Sequence, residues 1–229
     1  MTRPLLLLDL DGTLVDHDAA ELLGISGWIA TCGFPDTVDG EPTAAVWRRI
    51  TEDVLPDYFH GRLGLQEQRR LRVRRFLPLM GVDVDGMPDD VADAHFREYH
   101  RRYADAWSAF PDVVPALTRL RGSHRLAVLT NGDQEHQEGK LRRAGLTDLV
   151  EQTVATSSLG AAKPEPEAFL RALDRLGVPP EGATYIGDRL DVDARGAQAA
   201  GLTGVWLDRS GAGPVPDDVR TITSLAQLP

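Results

Sequence analysis

Four short runs of apolar residues, each followed at once by polar residues, stand out along the chain. They are Leu5–Leu8 and residues 126–129, 183–186 and 204–207. None of them alternates polar with apolar positions, and such runs are typical of strands covered on both faces, as in a parallel sheet. Residues 150–155 form a weaker fifth candidate.

Helical patterns fill the spaces between these runs from residue 111 onward. In one of them, apolar residues recur at intervals of three and four from Phe169 to Leu176, and Gly177 then ends the pattern. Helices that alternate with buried strands predict an α/β protein. We expect a Rossmann-like open parallel sheet with helices on both faces and right-handed crossovers.

Residues 16–109 contain helical stripes but no convincing strand. Trp47 and Ile50, for example, lie on one helical face, and turn-rich stretches separate such faces from one another. The first strand is thereby cut off from the rest of its sheet. We therefore predict an α/β core domain made of residues 1–15 and 110–229, interrupted by an inserted α-helical domain over residues 16–109.

Composition narrows the possible functions. The 229 residues include 25 Lys and Arg against 35 Asp and Glu, and the net charge of −10 argues against a nucleic-acid or anionic-membrane partner. The single cysteine, Cys32, excludes an intramolecular disulfide and a multi-cysteine zinc site. The first apolar run is too short for a signal peptide or a membrane span, so a cytoplasmic protein is expected.

The residues that follow the predicted strands are rich in carboxylates. Ligands of open α/β sheets bind beyond the carboxyl ends of the strands, so these side chains are expected around one crevice. Taken singly, an Asp or Asn after a strand also serves as a turn former or a helix cap. The set comprises Asp9, Asp11, Thr130, Asn131, Asp188 and, on a following turn, Asp193.

Carboxylates that converge on one spot need a cation. Two of them about 4 Å apart repel by roughly 4 kcal/mol at an effective dielectric near 20. Hard oxygen ligands suit Mg²⁺, which keeps waters and a substrate phosphate in its shell. Asp9 and Asp11, at i and i+2, share one side of an extended chain, so one carboxylate can attack while the other handles a proton. Lys163, where a helix begins, would add an ammonium.

Four motifs, in order along the chain, resemble those of the haloacid dehalogenase-like hydrolase superfamily. They are DLDGTLVD at 9–16, LTNG at 129–132, KPEP at 163–166 and GDRLDVDARGA at 187–197. The resemblance extends over nearly the whole chain. It implies that the inserted helical domain is a cap of the family's α-helical type.

The resemblance also implies a division of labour in a phosphatase. Asp9 is expected to be the nucleophile that forms an aspartyl-phosphate, and Asp11 to protonate the leaving oxygen and then activate water. Thr130 and Lys163 are expected to hold the phosphoryl oxygens, together with backbone amides after Asp9 and near Asn131. Such a site combines covalent catalysis with electrostatic stabilisation of the transferred group.

The family's metal site maps onto the same carboxylates. Mg²⁺ is expected to bind the Asp9 side chain, the Asp11 backbone carbonyl and Asp188, with support from a second acid of the fourth motif. Asp191 and Asp193 both follow Asp188 closely enough to be that acid. The family pattern, with Gly-Ala three residues later, favours Asp193.

The expected substrate is a small phosphorylated metabolite. The TNGD sequence, with Gln137 and Lys140 downstream, is similar to branches that hydrolyse nucleoside monophosphates or sugar-acid phosphates. Alternatives in the superfamily are a 2-haloacid dehalogenase, whose branch lacks an acid at the position of Asp11, and a phosphomutase. From other classes, a phospho-accepting signalling domain and an inactive partner-binding relative fit less well. The arginines at 69–75 are interpreted as a solvated helix face or as an anion-binding surface.

Overall fold

The computed structural model describes residues 3–229, and these form two compact units. One unit contains the described residues up to Asp16 together with Ser108–Pro229, and the other is His17–Trp107. Among the described residues, no helix has both the length and the apolar character that crossing a bilayer would require.

Eight strands and eight α-helices are present in the described chain, with one π-helix before the last α-helix. In chain order they are β1 (Leu5–Leu8), α1 (His17–Cys32), β2 (Thr37–Val38), β3 (Glu41–Pro42), α2 (Thr43–Phe59), α3 (Leu65–Phe76), α4 (Asp89–Asp105), α5 (Val113–Leu120), β4 (Arg125–Thr130), α6 (Gln134–Arg143), β5 (Gln152–Ala155), α7 (Pro166–Leu176), β6 (Ala183–Gly187), the π-helix (Leu190–Arg195), α8 (Gly196–Ala199), β7 (Thr203–Leu207) and β8 (Arg220–Ile222).

Six of these strands form a parallel sheet in the order β5-β4-β1-β6-β7-β8. β1 lies in its interior, where Leu5 pairs with Arg125 of β4 on one side and with Ala183 of β6 on the other. The predicted Rossmann-like open parallel sheet is confirmed. The carboxyl ends of β1, β4 and β6 therefore lie side by side, at the edge where such sheets bind ligands.

Both faces of the sheet are covered, which explains why β1 is apolar at every position. Leu6 and Leu8 belong to a cluster that includes Leu117 of α5, whereas Leu5 and Leu7 pack in a second cluster that includes Phe169 of α7. Successive side chains of a strand point to opposite faces, so a strand covered on both sides needs an unbroken apolar run.

The strand predictions hold for five strands of this sheet, and other elements were missed. β8 is not among the predicted strands, because its three residues contain no apolar run. β2 and β3 form a short antiparallel hairpin inside a stretch that was expected to have no strand. Between β6 and β7, the π-helix leads directly into the short helix α8.

The helical unit has a core of its own that is rich in aromatic side chains. Trp28 of α1 contacts Trp47 of α2 and Phe76 of α3, with ring centroids 5.3 Å and 5.1 Å apart. Tyr99 of α4 also contacts Trp47, at 4.7 Å between centroids. Each of the four long helices thus contributes an aromatic ring to one buried cluster.

Contacts within the helical unit explain part of the arginine-rich sequence at 69–75. The guanidinium of Arg70 lies 2.7 Å from the carboxylate of Asp93 on α4. The guanidinium of Arg72 lies 4.5 Å from the centre of the Trp47 ring, and Arg72 is buried. For these two arginines, the structure favours a role within the unit over a solvated face.

Gly204 of β7 is the position where the core tolerates a side chain least. A Cβ placed there would lie 2.1 Å from the carbonyl oxygen of Ala194, which belongs to backbone and cannot swing away. We expect Gly204→Ala to lower the free energy of unfolding by about 2–4 kcal/mol. Guanidinium-induced unfolding would measure this.

Gly122→Ala is the matched control, because Gly122 is exposed and its added Cβ would meet only Arg119 O, at 3.5 Å. That variant should stay within about 0.5 kcal/mol of the parent protein. Equal stability of the two variants would contradict the close packing of β7 against the π-helix.

Candidate active site

A buried lysine joins two of the predicted site carboxylates. The Nζ atom of Lys163 lies 2.6 Å from Asp9 Oδ1 and 2.7 Å from Asp193 Oδ1. The side chains of all three residues are at least nine-tenths buried. Burial by itself would lower the pKa of Lys163, but the charges of Asp193 and Asp9 outweigh it, so its pKa lies well above the ordinary value.

Tyr185 provides a third partner for this ammonium. The hydroxyl of Tyr185 lies 2.8 Å from Lys163 Nζ and donates a hydrogen bond to the carbonyl oxygen of Leu129, at 2.8 Å. It therefore accepts from the ammonium and donates to the end of β4. Burial raises the pKa of this phenol well above its ordinary value, so it stays neutral. Tyr185 was not among the predicted site residues.

Asn131 holds the backbone that carries Lys163. Its Nδ2 donates to the carbonyl oxygen of Lys163 (3.1 Å), and its Oδ1 accepts from the backbone N–H of Lys163 (2.9 Å). The side-chain amide of Asn131 therefore mimics a strand partner. Asn131 was expected near the phosphate through its backbone amide, and the structure adds this second contribution of its side chain.

Asp188 completes the cluster at the end of β6. Ligand oxygens of Asp9, Asp188 and Asp193 all lie within 4.8 Å of one another. Burial, together with the charge of Asp193, raises the pKa of Asp188 to about 7. Burial also raises the pKa of Asp9 well above its ordinary value, with Asp193 and Asp188 adding to the effect and Lys163 opposing it.

Two glycines make this close approach possible. A Cβ on Gly12 would lie 2.3 Å from Asp188 Oδ2, and Gly12 has a positive φ of 80°. A Cβ on Gly187 would lie 2.4 Å from the carboxyl carbon of Asp193. Side chains at either position would displace the carboxylates, so the glycines of the first and fourth motifs are spatial requirements of the cluster.

The donor set fits a hard divalent cation. When ionised, the three carboxylates of the cluster outnumber the ammonium of Lys163 by two negative charges. Burial is the main reason why the pKa values of Asp9 and Asp188 are raised, and the charges of neighbouring carboxylates raise them further. Oxygen ligands with an uncompensated double negative charge are the environment that Mg²⁺ prefers in proteins.

Asp193 and Asp191, which the sequence left as alternatives, occupy different environments. The side chain of Asp193 is 1% exposed and also accepts a hydrogen bond from the backbone N–H of Arg189, at 2.9 Å. The side chain of Asp191 is 79% exposed and pairs with Arg195 on the surface. The structure therefore brings Asp193, and not Asp191, into the cluster.

Asp11 points toward α6 instead of toward Lys163. Both of its carboxylate oxygens lie 2.7 Å from Lys140 Nζ, and Oδ2 also accepts from Gln137 Nε2 at 3.3 Å. The same Nε2 atom lies 3.0 Å from the hydroxyl oxygen of Thr130. Asp11, Thr130 and the buried face of α6 therefore form one hydrogen-bonded group.

The structure thus places every predicted site residue at the carboxyl edge of the sheet and adds three that were not assigned a role. They are Tyr185, Gln137 and Lys140. Gln137 and Lys140 are spaced i, i+3 on α6, which Asp133 caps by accepting from the backbone N–H of His136. The sequence did contain a signal for Gln137 and Lys140, namely two polar residues at helical spacing directly after a strand-end motif.

A second group of possible metal ligands lies in the helical unit. His17, Asp18 and Glu21 offer ligand atoms within 4.8 Å of one another. The guanidinium of Arg48 already contacts both carboxylates, at 3.0 Å from Glu21 and 3.3 Å from Asp18. Here one cationic side chain faces two acids, whereas in the cluster around Asp9 the single ammonium of Lys163 faces three.

The raised pKa of Asp188 makes stability depend on pH. The pKa of its carboxyl group is about 7 in the folded state, against an ordinary value of 3.8. Between these two pH values the folded protein therefore binds a proton that the unfolded chain has lost. Stability of the metal-free protein should therefore fall as pH rises through this range. We expect Asp188→Asn to flatten this dependence and to stabilise the protein at pH 8 by roughly 2 kcal/mol.

Thermal unfolding with a chelator, from about pH 4 to pH 8, would measure both effects. Asp191→Asn makes the same substitution at an exposed side chain and should leave the pH dependence unchanged. An Asp188→Asn profile parallel to that of the parent protein would contradict the crowding of the cluster.

Phosphatases are among the curated relatives of this chain. It is 38% identical over 134 residues to the glyceraldehyde 3-phosphate phosphatase of Methanopyrus kandleri, a match that covers 58% of this chain and 57% of that protein. It is 39% identical over 132 residues to the phosphoserine phosphatase of Thermus thermophilus, over 56% of this chain and 51% of that protein. The matches thus span about half the length of these relatives.

Solved structures match the chain from end to end. A magnesium-bound structure of YfnB from Bacillus subtilis gives a TM-score of 0.79 at 24% identity, covering 100% of this chain and 97% of that one. This likeness shows the fold alone. The 2-haloacid dehalogenase of Pseudomonas syringae pv. tomato gives a TM-score of 0.72 at 29% identity, with the same coverage. A family model described as haloacid dehalogenase-like hydrolase matches residues 4–201, and the chain belongs to that family.

Proposed function

We propose that the protein is a Mg²⁺-dependent phosphatase that hydrolyses small phosphate monoesters through an aspartyl-phosphate on Asp9. The observation that carries this proposal is the convergence of three carboxyl groups, those of Asp9, Asp188 and Asp193, on a site with the single ammonium of Lys163. An ester phosphate brings further negative charge, so a site of this kind needs a divalent cation before it can accept the substrate.

The chain's own residues supply the metal ligands. The side chains of Asp9 and Asp188 and the backbone carbonyl of Asp11 would hold Mg²⁺, with Asp193 in support. When bound, the ion neutralises charge on the cluster and on the phosphoryl oxygens. Lys163, held between Asp9 and Asp193, contributes a fixed positive charge beside the proposed nucleophile.

In the first half-reaction, a carboxylate oxygen of Asp9 attacks phosphorus and the bond from phosphorus to the leaving oxygen breaks. Asp11 gives its proton to that oxygen, so the product leaves as an alcohol. Thr130 and Lys163 hold the phosphoryl oxygens, and the backbone amide near Asn131 adds a further donor. Fixed donors of this kind stabilise the charged transferring group.

In the second half-reaction, Asp11 takes a proton from water as the water attacks the phosphorus of the aspartyl-phosphate. The bond between phosphorus and the Asp9 oxygen breaks, which releases inorganic phosphate and restores the Asp9 carboxylate. Asp11 is then protonated again and ready for the next substrate. One carboxylate thus serves as acid and base in turn.

A small phosphorylated metabolite, such as a nucleotide or a sugar phosphate, is the proposed substrate class. The named phosphatase relatives support this, because glyceraldehyde 3-phosphate and phosphoserine are both small phosphate monoesters. We assign the helical unit, His17–Trp107, the role of the cap of this branch.

Dehalogenation is the second candidate, because a 2-haloacid dehalogenase is 29% identical to this chain across its length. In that chemistry an aspartate attacks carbon and no metal is needed. Dehalogenation requires neither the carboxylate of Asp11, two residues after Asp9, nor the excess negative charge of the cluster. Both features favour phosphoryl transfer, whether as a phosphatase or as a phosphomutase.

Turnover of a panel of phosphate monoesters would test the proposal. We expect release of inorganic phosphate with Mg²⁺, loss of that activity with a chelator, and no turnover by Asp9→Asn, because the nucleophile is gone. Halide release from 2-haloacids, measured in parallel, should be absent. Halide release without phosphate release would replace the phosphatase by the dehalogenase, and glucose bisphosphate-dependent isomerisation would point to a mutase.

Lys163→Ala should lower kcat/KM by about 10²–10³, because it removes a fixed charge beside the transferring phosphoryl group. Tyr185→Phe, which removes one hydrogen bond to the same ammonium, should cost less than about tenfold. Steady-state kinetics on the best substrate of the panel would measure both. A loss below tenfold for a folded Lys163→Ala variant would remove Lys163 from the site.

A further inference from the structure

The buried face of α6 carries polar side chains where an apolar stripe is usual. The side chain of Lys140 is 3% exposed, and Gln137 is buried as well. Burying an ammonium costs several kcal/mol unless it is paired, so such a lysine is retained where its charge has a use. The reaction described above assigns it none.

Lys140 fixes the direction of a carboxylate that is otherwise open to solvent. The side chain of Asp11 is 28% exposed, and its two oxygens lie equally far, 2.7 Å, from Lys140 Nζ. A carboxylate that rotates freely would spend most of its time away from the leaving oxygen. An ammonium that contacts both oxygens restricts that rotation.

Gln137 connects this ion pair to the phosphate-binding edge of β4. Its Nε2 lies 3.3 Å from Asp11 Oδ2, 3.0 Å from Thr130 Oγ1 and 2.8 Å from the carbonyl oxygen of Asn131. The position of Asp11 is thereby coupled to the residues proposed to hold the phosphoryl group. A shift of α6 would move both.

We propose that Lys140 is a positioning residue that aims Asp11 at the leaving oxygen of the substrate, with Gln137 as the connection to Thr130. This inference rests on the proposed phosphatase function. It assigns Lys140 no contact with the substrate. The competing explanation is structural: Asp11 merely neutralises a lysine that α6 happens to bury.

The leaving group distinguishes these two roles. An alkyl alkoxide leaves only if it is protonated, whereas para-nitrophenolate leaves without a proton. The ratio kcat/KM covers the steps through formation of the aspartyl-phosphate, so it reports on the proton that Asp11 donates. A loss of kcat/KM that acts through Asp11 must therefore be larger for an alkyl phosphate than for para-nitrophenyl phosphate. A purely structural defect would lower kcat/KM for both esters alike.

We expect Lys140→Met to lower kcat/KM for an alkyl phosphate by about 30–100-fold and for para-nitrophenyl phosphate by less than about threefold. Lys140→Arg, which keeps the charge, should restore part of the alkyl phosphate activity. Arg142→Met removes a positive charge from the exposed face of the same helix and should leave both activities unchanged. Circular dichroism and thermal unfolding would show that each variant is folded.

A double substitution tests whether the effect passes through Asp11. In an Asp11→Asn background, Lys140→Met should cost less than about twofold further on the alkyl phosphate, because there is no carboxylate left to aim. A full further loss, or an equal loss on both esters, would overturn the positioning role. If the parent protein hydrolyses neither ester with Mg²⁺, the proposed function fails, and the positioning role fails with it.

Discussion

The ammonium of Lys163 is the point on which the core unit's chemistry depends. It lies among the carboxylates of Asp9 and Asp193 and the hydroxyl of Tyr185, all inside the protein. A charge buried this deeply is tolerated only with opposite charges and hydrogen bonds at close range. The partners come from the end of β1, from the middle of β6 and from the π-helix, so the loop that carries Lys163 is fixed with respect to three elements.

Lys163 compensates only part of the negative charge that the acidic cluster carries when its three carboxyl groups are ionised. The ammonium balances one carboxylate, while burial, with the charge of Asp193 adding to it, raises the pKa values of Asp9 and Asp188. Backbone groups and two glycines hold the acids close in spite of their repulsion. The sheet and its two apolar layers supply the stability that a crowded acidic cluster lacks.

Sequence patterns predicted where the acidic residues lie, because parallel strands end at one edge of the sheet. The positions of Asp9 and Asp188 follow directly from the ends of β1 and β6. Strand position did not separate Asp191 from Asp193, and only the resemblance to the family motif favoured Asp193, because the two differ in burial on an irregular turn. Tyr185 was missed because strand alternation shows which face it occupies but not what its hydroxyl reaches. β8 escaped detection because an edge strand of three residues needs little apolar sequence.

The position of β1 in the sheet has a consequence for biosynthesis. Leu5 pairs with Arg125 and Ala183, so the strand that carries Asp9 leaves the ribosome long before either of its neighbours exists. The helical unit, His17–Trp107, is continuous and emerges whole in between, with its own apolar core. The nascent chain therefore carries an unpaired, fully apolar strand until β4 and β6 have been made, and Asp9, the proposed nucleophile, is made well before Lys163, Asp188 and Asp193.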